Sequence, residues 1–198
     1  MVVNSVIEAA LQLLRADGEE GVSVRSIAQR AGVGVGSVYD YFTTRDGIMD
    51  ALIERMTREN FDDLLQLLHE YDDQSAEDAF EAIIDRVFEL YLAKPRLTSA
   101  ALRAIVGFGL APALTAERDR FVVRIATRLG TEIALPPDEL YQRALAVADM
   151  LFGLVLAEAF REPNAKRLQA LHEAMVRCLH AELGAARAAA GSRISAVG

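Results

Sequence analysis

Cysteine and proline are scarce in this sequence, and both shortages narrow the possible folds. The single cysteine, Cys178, excludes an internal disulfide and fits a reducing compartment. Five prolines among 198 residues leave room for long helices, and no alternating strand pattern stands out. With 52% hydrophobic and 25% charged residues, the chain is predicted to be an all-α globular protein of one or two domains.

Long uninterrupted apolar runs are also missing. The chain does not begin with a basic segment followed by an apolar run, so a signal peptide is not expected. The most apolar stretch lies between Arg143 and Arg161, where Asp149 and Glu158 interrupt it, and it is short for a membrane span. We therefore expect a buried helix in this stretch and a cytoplasmic protein that does not contact a membrane.

Residue groupings that carry catalysis or bind metal are not evident. The sequence shows no metal-ligand cluster, no phosphate-cradling glycine loop and no nucleophile elbow. His172 and His180 lie near the last apolar seam without metal-ligand spacing, which indicates structural or interfacial roles. A lone cysteine such as Cys178 is most often a small buried hydrophobic residue. We therefore expect no enzymatic activity, no cofactor and no metal site.

Apolar periodicity and end signals predict the helices. Ser5, with Glu8 three residues later, suggests a capping box for the first helix, and Thr44 is the expected cap of the fourth. From Gly184 the tail is rich in Ala, Gly and Ser and is expected to fray. Outside the segment 23–42, the predicted helices span about 5–17, 45–71, 76–92, 97–108, 116–129, 137–161 and 165–183.

The net charge of −8 at first sight argues against binding to nucleic acid, but the charge is unevenly distributed. Between residues 23 and 45, three arginines stand against one acid, Asp40, which gives a local charge of +2 (3 − 1). A locally positive segment on an acidic chain is compatible with DNA binding. Affinity for non-specific DNA should be modest, because few phosphates are neutralised.

The stretch 23–42 has the spacing of two short helices joined by a tight turn. Ile27 and Ala31 belong to an apolar stripe on the first helix. Gly32 follows directly, where a left-handed backbone costs least for glycine. Val38 belongs to a second stripe on the next helix. This pattern predicts a helix-turn-helix, whose second helix enters the major groove of DNA.

From about Val6 to Leu52 the chain resembles the DNA-binding domain of the TetR family of bacterial transcriptional regulators. The matching residues are Ile7-Glu8-Ala9-Ala10, Gly21-Val22-Ser23-Val24, Ile27-Ala28, Ala31-Gly32-Val33, Gly36, Tyr39-Asp40-Tyr41-Phe42, Arg45-Asp46 and Leu52. The remainder of the chain resembles the family only in length and helical layout. The resemblance implies a DNA-binding domain over residues 1–47 and a ligand-binding and dimerisation domain over residues 48–198.

The second helix of the motif, the recognition helix, is expected from Val35 to about Tyr41. With Val38 turned inward, the small Gly36 and Ser37 let the start of the helix approach the groove floor. Ser37 offers a hydrogen bond to a base edge, and the methyl groups of Val35 suit a thymine methyl.

Other side chains are expected to contact the DNA backbone. The resemblance places Tyr39 and Tyr41 at DNA-contacting positions, and Arg25 and Arg45 are expected to hold phosphates on either side. Asp40 either accepts a hydrogen bond from cytosine or is solvated. The predicted DNA-binding residues are Ser23, Arg25, Gly34, Val35, Gly36, Ser37, Tyr39, Asp40, Tyr41 and Arg45.

Two features depart from the family pattern, and both lower the expected affinity for DNA. Gly34 replaces the serine or threonine that often opens the recognition helix, so a side-chain cap and one phosphate contact are expected to be missing. No Lys or Arg precedes Arg15, so the N-terminal arm is not expected to bind the minor groove. Arg30 is expected to face solvent.

The last two long helices are the predicted homodimer interface, because one helix-turn-helix contacts too few bases for useful specificity. Residues 143–161 are apolar almost all round, which is typical of a helix covered from more than one side. The final helix carries an apolar seam formed by Leu168, Leu171, Met175, Leu179 and Leu183. A four-helix dimer bundle is predicted, with packing inside one chain as the alternative.

The resemblance further implies a pocket for a small-molecule inducer among the middle helices. Asp149 and Glu158 are nine residues apart, about half a turn around a helix, so they cannot both face one pocket. Pairing with an arginine, or exposure to solvent, is the alternative for each. The predicted ligand-binding residues are Phe88, Tyr91, Arg103, Phe121, Asp149 and Phe152.

Taken together, these features predict a ligand-responsive DNA-binding transcriptional regulator. The simplest form is a repressor that a small hydrophobic inducer releases from double-stranded operator DNA. The alternative is an adaptor built on the same fold that binds a ligand or a partner but no longer binds DNA.

Overall fold

The computed structural model describes residues 2–93 and 111–197. These residues form eight α-helices and one short 3-10 turn and contain no strand, which confirms the all-α prediction. The elements are α1 (Val2–Asp17), the 3-10 turn (Glu19–Gly21), α2 (Val24–Ala31), α3 (Val35–Tyr39), α4 (Arg45–Glu70), α5 (Ala76–Ala93), α6 (Ala111–Leu129), α7 (Pro137–Ala159) and α8 (Ala165–Val197).

The N-terminal helix-turn-helix domain has a closed core of its own. α1 packs against α2, α3 and the start of α4. Ile27, Val38, Ile48 and Leu52 are each 0% exposed at the centre of this core. Because Ile48 and Leu52 belong to α4, the first two turns of that helix pack with the N-terminal domain.

The C-terminal helical domain is built around a second apolar cluster. α4 packs against α5 and α6, α6 packs against α7, and α5 packs against α8. Buried members of this cluster include Leu64, Leu68, Phe80, Ile84, Phe121, Val122, Leu140, Met175, Leu179 and Leu183.

α4 connects the two domains. Leu52 lies in the N-terminal core, whereas Leu64 and Leu68 lie in the C-terminal one. Between them, Ile53 is 1% exposed and packs with Ala159 of α7 in a small third cluster. The partly buried Leu114, Phe152, Val155 and Leu156 complete this junction.

The two ends of the chain differ from the prediction. α1 begins at Val2, so Ser5 lies inside the helix and the expected capping box at Ser5 and Glu8 is wrong; Val2 packs against the N-terminal core. The tail does not fray at Gly184, because α8 continues to Val197. The predicted helix over 97–108 lies outside the described residues.

Specific contacts explain the extension of α8. Ala186 and Ala190 are buried against the C-terminal core, at 2% and 7% exposure. Arg193 donates to Glu139 of α7 over 2.6 Å. Alanine is the strongest helix former, so an alanine-rich tail with buried positions remains helical.

α7 is not buried within one chain, contrary to the expectation of a buried helix. Only four of its residues are buried: Leu140, Ala144, Glu158 and Ala159. Its apolar side chain Met150 is 46% exposed. By length and composition α7 could cross a membrane, with a mean hydropathy of 1.4 and 11% of the scored segment buried. Among the described residues this is the one helix with that property.

Candidate DNA-binding surface and ligand cavity

α2 has a fully hydrogen-bonded N-terminal cap. Ser23 is the N-cap residue, and its hydroxyl accepts a hydrogen bond from the backbone N–H of Ser26 at 3.1 Å. The backbone N–H of Ser23 donates to the Ser26 hydroxyl at 2.9 Å, so the two serines form a reciprocal capping box. Ser23 therefore has a structural role besides the predicted DNA contact.

The turn after α2 depends on glycine. Gly32 has φ 69° and ψ 29°, in the left-handed region that glycine adopts at little cost. Its N–H donates to Gln29 O at 3.3 Å, and the N–H of Val33 donates to Ala28 O at 3.0 Å. These bonds end α2 and turn the chain into α3.

α3 exposes four of its five residues and is anchored by the fifth. Val38 is 0% exposed, whereas Val35 is 41% and Tyr39 52% exposed. Gly36 and Ser37 are also exposed. A short helix anchored on one side therefore presents small and aromatic side chains outward, as the sequence predicted.

The end of the recognition helix differs from the prediction. α3 ends at Tyr39, so Asp40 and Tyr41 lie in the following turn and not in the helix. Asp40 is exposed, and Tyr41 is 60% exposed. Both residues remain on the surface next to α3. Because they lie outside the helix, helical spacing does not determine the direction of their side chains.

The helix termini around α3 differ in how they are capped. Gly34 is the N-cap residue of α3 and provides no side-chain hydrogen bond, as expected from the missing hydroxyl. Thr44 caps α4 by accepting from the N–H of Gly47 at 3.1 Å, which confirms the predicted cap.

Of the two arginines predicted to bind phosphates, Arg25 is exposed to solvent, whereas Arg45 also makes contacts within the protein. Arg25 on α2 is exposed, as is Arg30. The Nε of Arg45 donates to Val22 O at 2.7 Å, and its Nη1 lies 3.5 Å from Asp46. Arg45 therefore ties the start of α4 to the segment before α2.

The C-terminal domain contains an apolar cavity of about 50 Å³. Its walls come from α5, α6, α7 and α8 and include Phe80, Ile83, Ile84, Phe121, Ile125, Ala144, Val147, Ala148, Leu151, Leu179 and Leu183. Such a volume holds a few atoms and is far smaller than a drug-sized pocket. A larger ligand therefore requires these helices to separate.

Two charged residues, Arg143 and Glu182, also line the cavity. Arg143 on α7 is hydrogen-bonded to Glu182 on α8, and its Nη2 lies 3.2 Å from Glu139. The hydrogen bond with Glu182 raises the pKa of Arg143 above its ordinary value. The sequence does not predict this pair, because the partners are 39 residues apart and no local pattern joins them.

The predicted ligand-binding residues are not brought together. Phe121 lines the cavity, whereas Phe88 lies in a separate groove beside His172, with ring centroids 5.1 Å apart. Phe152 packs at the junction with α4. Asp149 is exposed and pairs with Arg118 at 2.8 Å.

Two predicted ligand-binding residues cannot be placed relative to the cavity. Arg103 lies outside the described residues. Tyr91 belongs to α5, but its side chain lies outside the described part of the chain.

Glu158 is a buried carboxylate at the end of α7, with 1% exposure. Its Oε1 accepts from Arg161 Nη1 at 2.8 Å, and its Oε2 accepts from Arg167 Nε at 2.8 Å. Burial alone would raise the pKa of Glu158, but the hydrogen bonds and charges of Arg167 and Arg161 outweigh it and lower the pKa. Glu158 therefore links the end of α7 to the start of α8 through Arg161 and Arg167, and it does not line the cavity.

Cys178 is exposed, which corrects the expectation of a buried cysteine. It lies beside the buried seam of α8, three residues after Met175, and Ala174 and Ala181 are its helical neighbours. On α7, the exposed Ala146, Met150, Gly153 and Ala157 form a comparable stripe. Both stripes consist of small or apolar side chains.

Comparison with known proteins identifies relatives of this arrangement. The family model "Bacterial regulatory proteins, tetR family" matches residues 6–52, which contain most of α1, all of α2 and α3, and the start of α4. The chain is also similar to the HTH-type transcriptional regulator BetI of Escherichia coli O17:K52:H18. The two are 27% identical over 160 residues, which cover 78% of this chain and 80% of BetI.

Solved structures share the whole fold. A protein of Mesorhizobium loti MAFF303099, described as a TetR-family transcriptional regulator, superposes with a TM-score of 0.67 at 19% identity, covering 90% of this chain and 95% of that one. The multidrug binding protein EbrR, complexed with malachite green, gives a TM-score of 0.62 at 19% identity, covering 88% and 96%. Identities this low show the fold and nothing finer.

Proposed function

The chain belongs to the TetR family of bacterial transcriptional regulators, and from this premise we propose that it is a repressor of transcription. It binds double-stranded operator DNA as a homodimer, and a small hydrophobic inducer releases it. The observation that carries the proposal is α3, which is anchored by the buried Val38 and exposes its other four residues.

The exposed side chains suit a duplex surface. The exposed Val35 and Ser37 are the residues proposed to meet base edges in the major groove, where methyl groups and hydroxyls distinguish base pairs. Tyr39 and Tyr41 offer hydroxyl groups to phosphates, and Arg25 adds a positive charge. With so few cations, the sequence-independent affinity for DNA is modest. Tight binding to a specific site therefore requires a second recognition helix.

The second helix is supplied by a second copy of the chain. The exposed stripes on α7 and α8 consist of small and apolar residues, including Met150 and Cys178, and small side chains let helices approach closely. Packing both stripes against their symmetry mates gives a four-helix bundle with two-fold symmetry. We propose that this interface, and not lipid, covers the apolar face of α7, in a cytoplasmic protein without enzymatic activity.

The cavity is the proposed inducer site. Its lining is apolar apart from Arg143 and Glu182, which favours a hydrophobic ligand with a polar end. The complex of EbrR with malachite green, a ligand reported for that protein, is an example of an aromatic compound bound in a fold of this kind.

Release follows from the packing of α4. A ligand that enlarges the cavity displaces α6 and α7, which contact Ile53 of α4 at the junction. Because α4 begins in the N-terminal core, its displacement changes the separation of the two α3 helices. Consecutive major grooves on one face lie about 34–36 Å apart, so a small change in spacing weakens binding. The inducer must bind the released geometry more tightly.

Fluorescence anisotropy with labelled DNA from immediately upstream of the gene tests the DNA-binding proposal. The wild-type protein should bind a two-fold symmetric site, and Tyr39→Ala should lower that affinity by about 10- to 100-fold without changing Tm. Arg25→Ala should reduce the slope of log K against log salt by about 1, whereas Arg30→Ala on the same helix should leave it unchanged.

The opposite result favours the adaptor. A folded, ligand-free dimer that binds no upstream sequence in preference to random DNA contradicts the repressor and supports the alternative that the fold no longer recognises DNA. Equal salt slopes for Arg25→Ala and Arg30→Ala contradict the proposed orientation of α2.

Sedimentation equilibrium tests the dimer with a matched pair of substitutions. Met150 on α7 is 46% exposed and Val123 on α6 is 52% exposed. Met150→Glu should convert the dimer to a monomer, because it places a charge in the proposed interface. Val123→Glu should remain dimeric. Dissociation by both variants, or by neither, contradicts the assignment of α7.

Malachite green serves as the probe for the cavity, since its fluorescence rises in an apolar site. Ala148→Leu adds volume to a lining position and should weaken dye binding, whereas Val123→Leu outside the cavity should not. Equal dye binding by Ala148→Leu and wild type contradicts this location of the inducer site.

A further inference from the structure

Three metal-ligating side chains meet where α5 packs against α8. Glu77 and Glu81 are four residues apart on α5 and therefore lie on one face of the helix. From α8, His180 Nε2 contacts Oε1 of Glu81 and lies 3.7 Å from Oε1 of Glu77. The donor atoms of the three residues lie within 4.8 Å of one another.

One of the separations already suits a transition metal, and the hydrogen bond between His180 and Glu81 must open to admit an ion. Zn²⁺ binds histidine nitrogen and carboxylate oxygen at about 2.0–2.2 Å, which places two donors of a tetrahedral site roughly 3.4 Å apart. The 3.7 Å between His180 Nε2 and Glu77 Oε1 is close to that value. One imidazole and two carboxylates form a mixed nitrogen and oxygen site, to which Zn²⁺ binds more tightly than Mn²⁺.

The surroundings keep the donors accessible and oriented. The side chains of Glu77, Glu81 and His180 are 33%, 39% and 44% exposed, so an ion and its water ligands can reach them. Arg187 donates to Oε2 of Glu77 at 2.8 Å, on the other oxygen from the one near His180. Arg187 thereby fixes the orientation of this carboxylate, in the manner of partners that orient metal ligands.

The same pair of helices contains a natural control. His172 lies eight residues before His180 on α8, and its Nε2 is 2.6 Å from Asp85 of α5. Here one histidine meets one carboxylate. Among the described residues, the only group of three or more such donors is Glu77, Glu81 and His180.

We propose that Glu77, Glu81 and His180 form a binding site for a divalent transition metal, for which Zn²⁺ is the test ion. The bound ion links α5 to α8 near the cavity, because Phe80 and Ile84 on α5 and Leu179 and Leu183 on α8 line that space. The site therefore holds two cavity walls together on their outer side.

A chelator competition titration with Zn²⁺ tests the proposal on the full chain. The Cys178→Ser variant is the parent, so that no Zn²⁺ uptake can be due to the lone thiol. One equivalent of Zn²⁺ should bind and should raise Tm. His180→Ala should lower the affinity at least about tenfold and remove the rise in Tm, whereas His172→Ala should change neither.

Glu81→Gln repeats the test without changing the size of the side chain, and it should also weaken Zn²⁺ binding at least about tenfold. The proposal is overturned if the parent takes up no Zn²⁺, if binding survives both substitutions, or if His172→Ala weakens it equally. Mg²⁺ that displaces Zn²⁺ at equal concentration overturns it as well, because this excludes a nitrogen ligand. No DNA is present, so the outcome does not depend on the repressor proposal.

Discussion

Among the described residues, the N-terminal domain buries its core more completely than the C-terminal domain does. In the former, Ile27, Val38 and Leu52 have no exposed surface. In the latter, the 23-residue helix α7 buries four residues, and Met150 remains 46% exposed. The C-terminal domain also encloses an apolar cavity of about 50 Å³ between its helices.

This difference separates two kinds of task. A domain with a closed core holds a recognition surface in fixed geometry, so it can present α3 to DNA without rearrangement. A domain with an incomplete core gains stability from whatever completes it, because a species that binds only the folded state stabilises it by mass action. Inducer and second subunit are the two proposed additions to the C-terminal domain.

The largest effects should come from comparing Leu52→Ala with Met150→Ala. Leu52→Ala removes a fully buried side chain and should lower the free energy of unfolding by about 3 kcal/mol. This loss should not depend on protein concentration. Met150→Ala should destabilise only in a concentration-dependent way, because its exposed surface belongs to the proposed dimer interface. Urea denaturation at two protein concentrations measures both losses of stability. Equal concentration dependence for the two variants contradicts the difference drawn between the two domains.

Glu158→Gln tests the carboxylate next to the junction, where the two domains meet. Losing the charge that Arg161 and Arg167 bind should cost about 2 kcal/mol at neutral pH. Because the folded state lowers the pKa of Glu158, its contribution is complete above the ordinary value of 4.5 and is lost as the pH falls through the folded-state pKa. Wild type and Glu158→Gln should therefore converge in acid.

A matched substitution separates this buried carboxylate from an exposed one. Asp149 on the same helix pairs with Arg118 at 2.8 Å but is 48% exposed. Asp149→Asn should change the free energy of unfolding by less than about 0.5 kcal/mol. A difference between wild type and Glu158→Gln that stays constant from pH 7 to pH 3 would contradict the role given to Glu158.

Two glycines of the N-terminal domain should respond with opposite sign. An added Cβ meets no atom within 4 Å at either Gly32 or Gly36, so packing does not distinguish them. Gly32→Ala should destabilise by about 1 kcal/mol, because its φ of 69° is unfavourable for alanine. Gly36→Ala should stabilise by about 0.5 kcal/mol, because Gly36 lies inside α3. Loss of stability in both variants, measured in urea, contradicts this account of the turn.

The smallest effect is expected at the uncapped start of α3. Gly34→Ser adds the missing hydroxyl and should stabilise the domain by about 0.3 kcal/mol, since glycine is itself a tolerable cap. Its effect on DNA should be larger than its effect on folding, because the hydroxyl adds a phosphate contact. Parallel urea and anisotropy measurements compare the two, and lower affinity for DNA would place Gly34 away from the phosphates.

The N-terminal domain was predictable because its signals are local. The glycine after α2, the apolar spacing around Val38 and the cap at Thr44 each act within a few residues, and all three are present in the structure. Two ends departed from the prediction: α3 stops at Tyr39, and α1 starts earlier than expected. The Ser5 signal is overridden because Val2 packs against the domain core and extends the helix.

Contacts in the C-terminal domain were not predictable, because their partners are distant in sequence. Arg143 meets Glu182 across 39 residues, and His180 meets Glu81 across 99. Residue spacing shows that Asp149 and Glu158 point in opposite directions on α7, but not which of them is buried. Apolar side chains that line a cavity also have the same periodicity as those that fill a core.

The anchoring of α3 through one buried side chain has an evolutionary consequence. Substitutions at the exposed Val35, Ser37 or Tyr39 alter the proposed DNA-contacting surface and change the stability of the fold by only about 0.5 kcal/mol or less. New operator preferences can therefore arise by single substitutions without intermediates that fail to fold. Val38 is fully buried, so it cannot be substituted as freely. Descendants of this protein can therefore diverge in the DNA sites they recognise while they keep Val38.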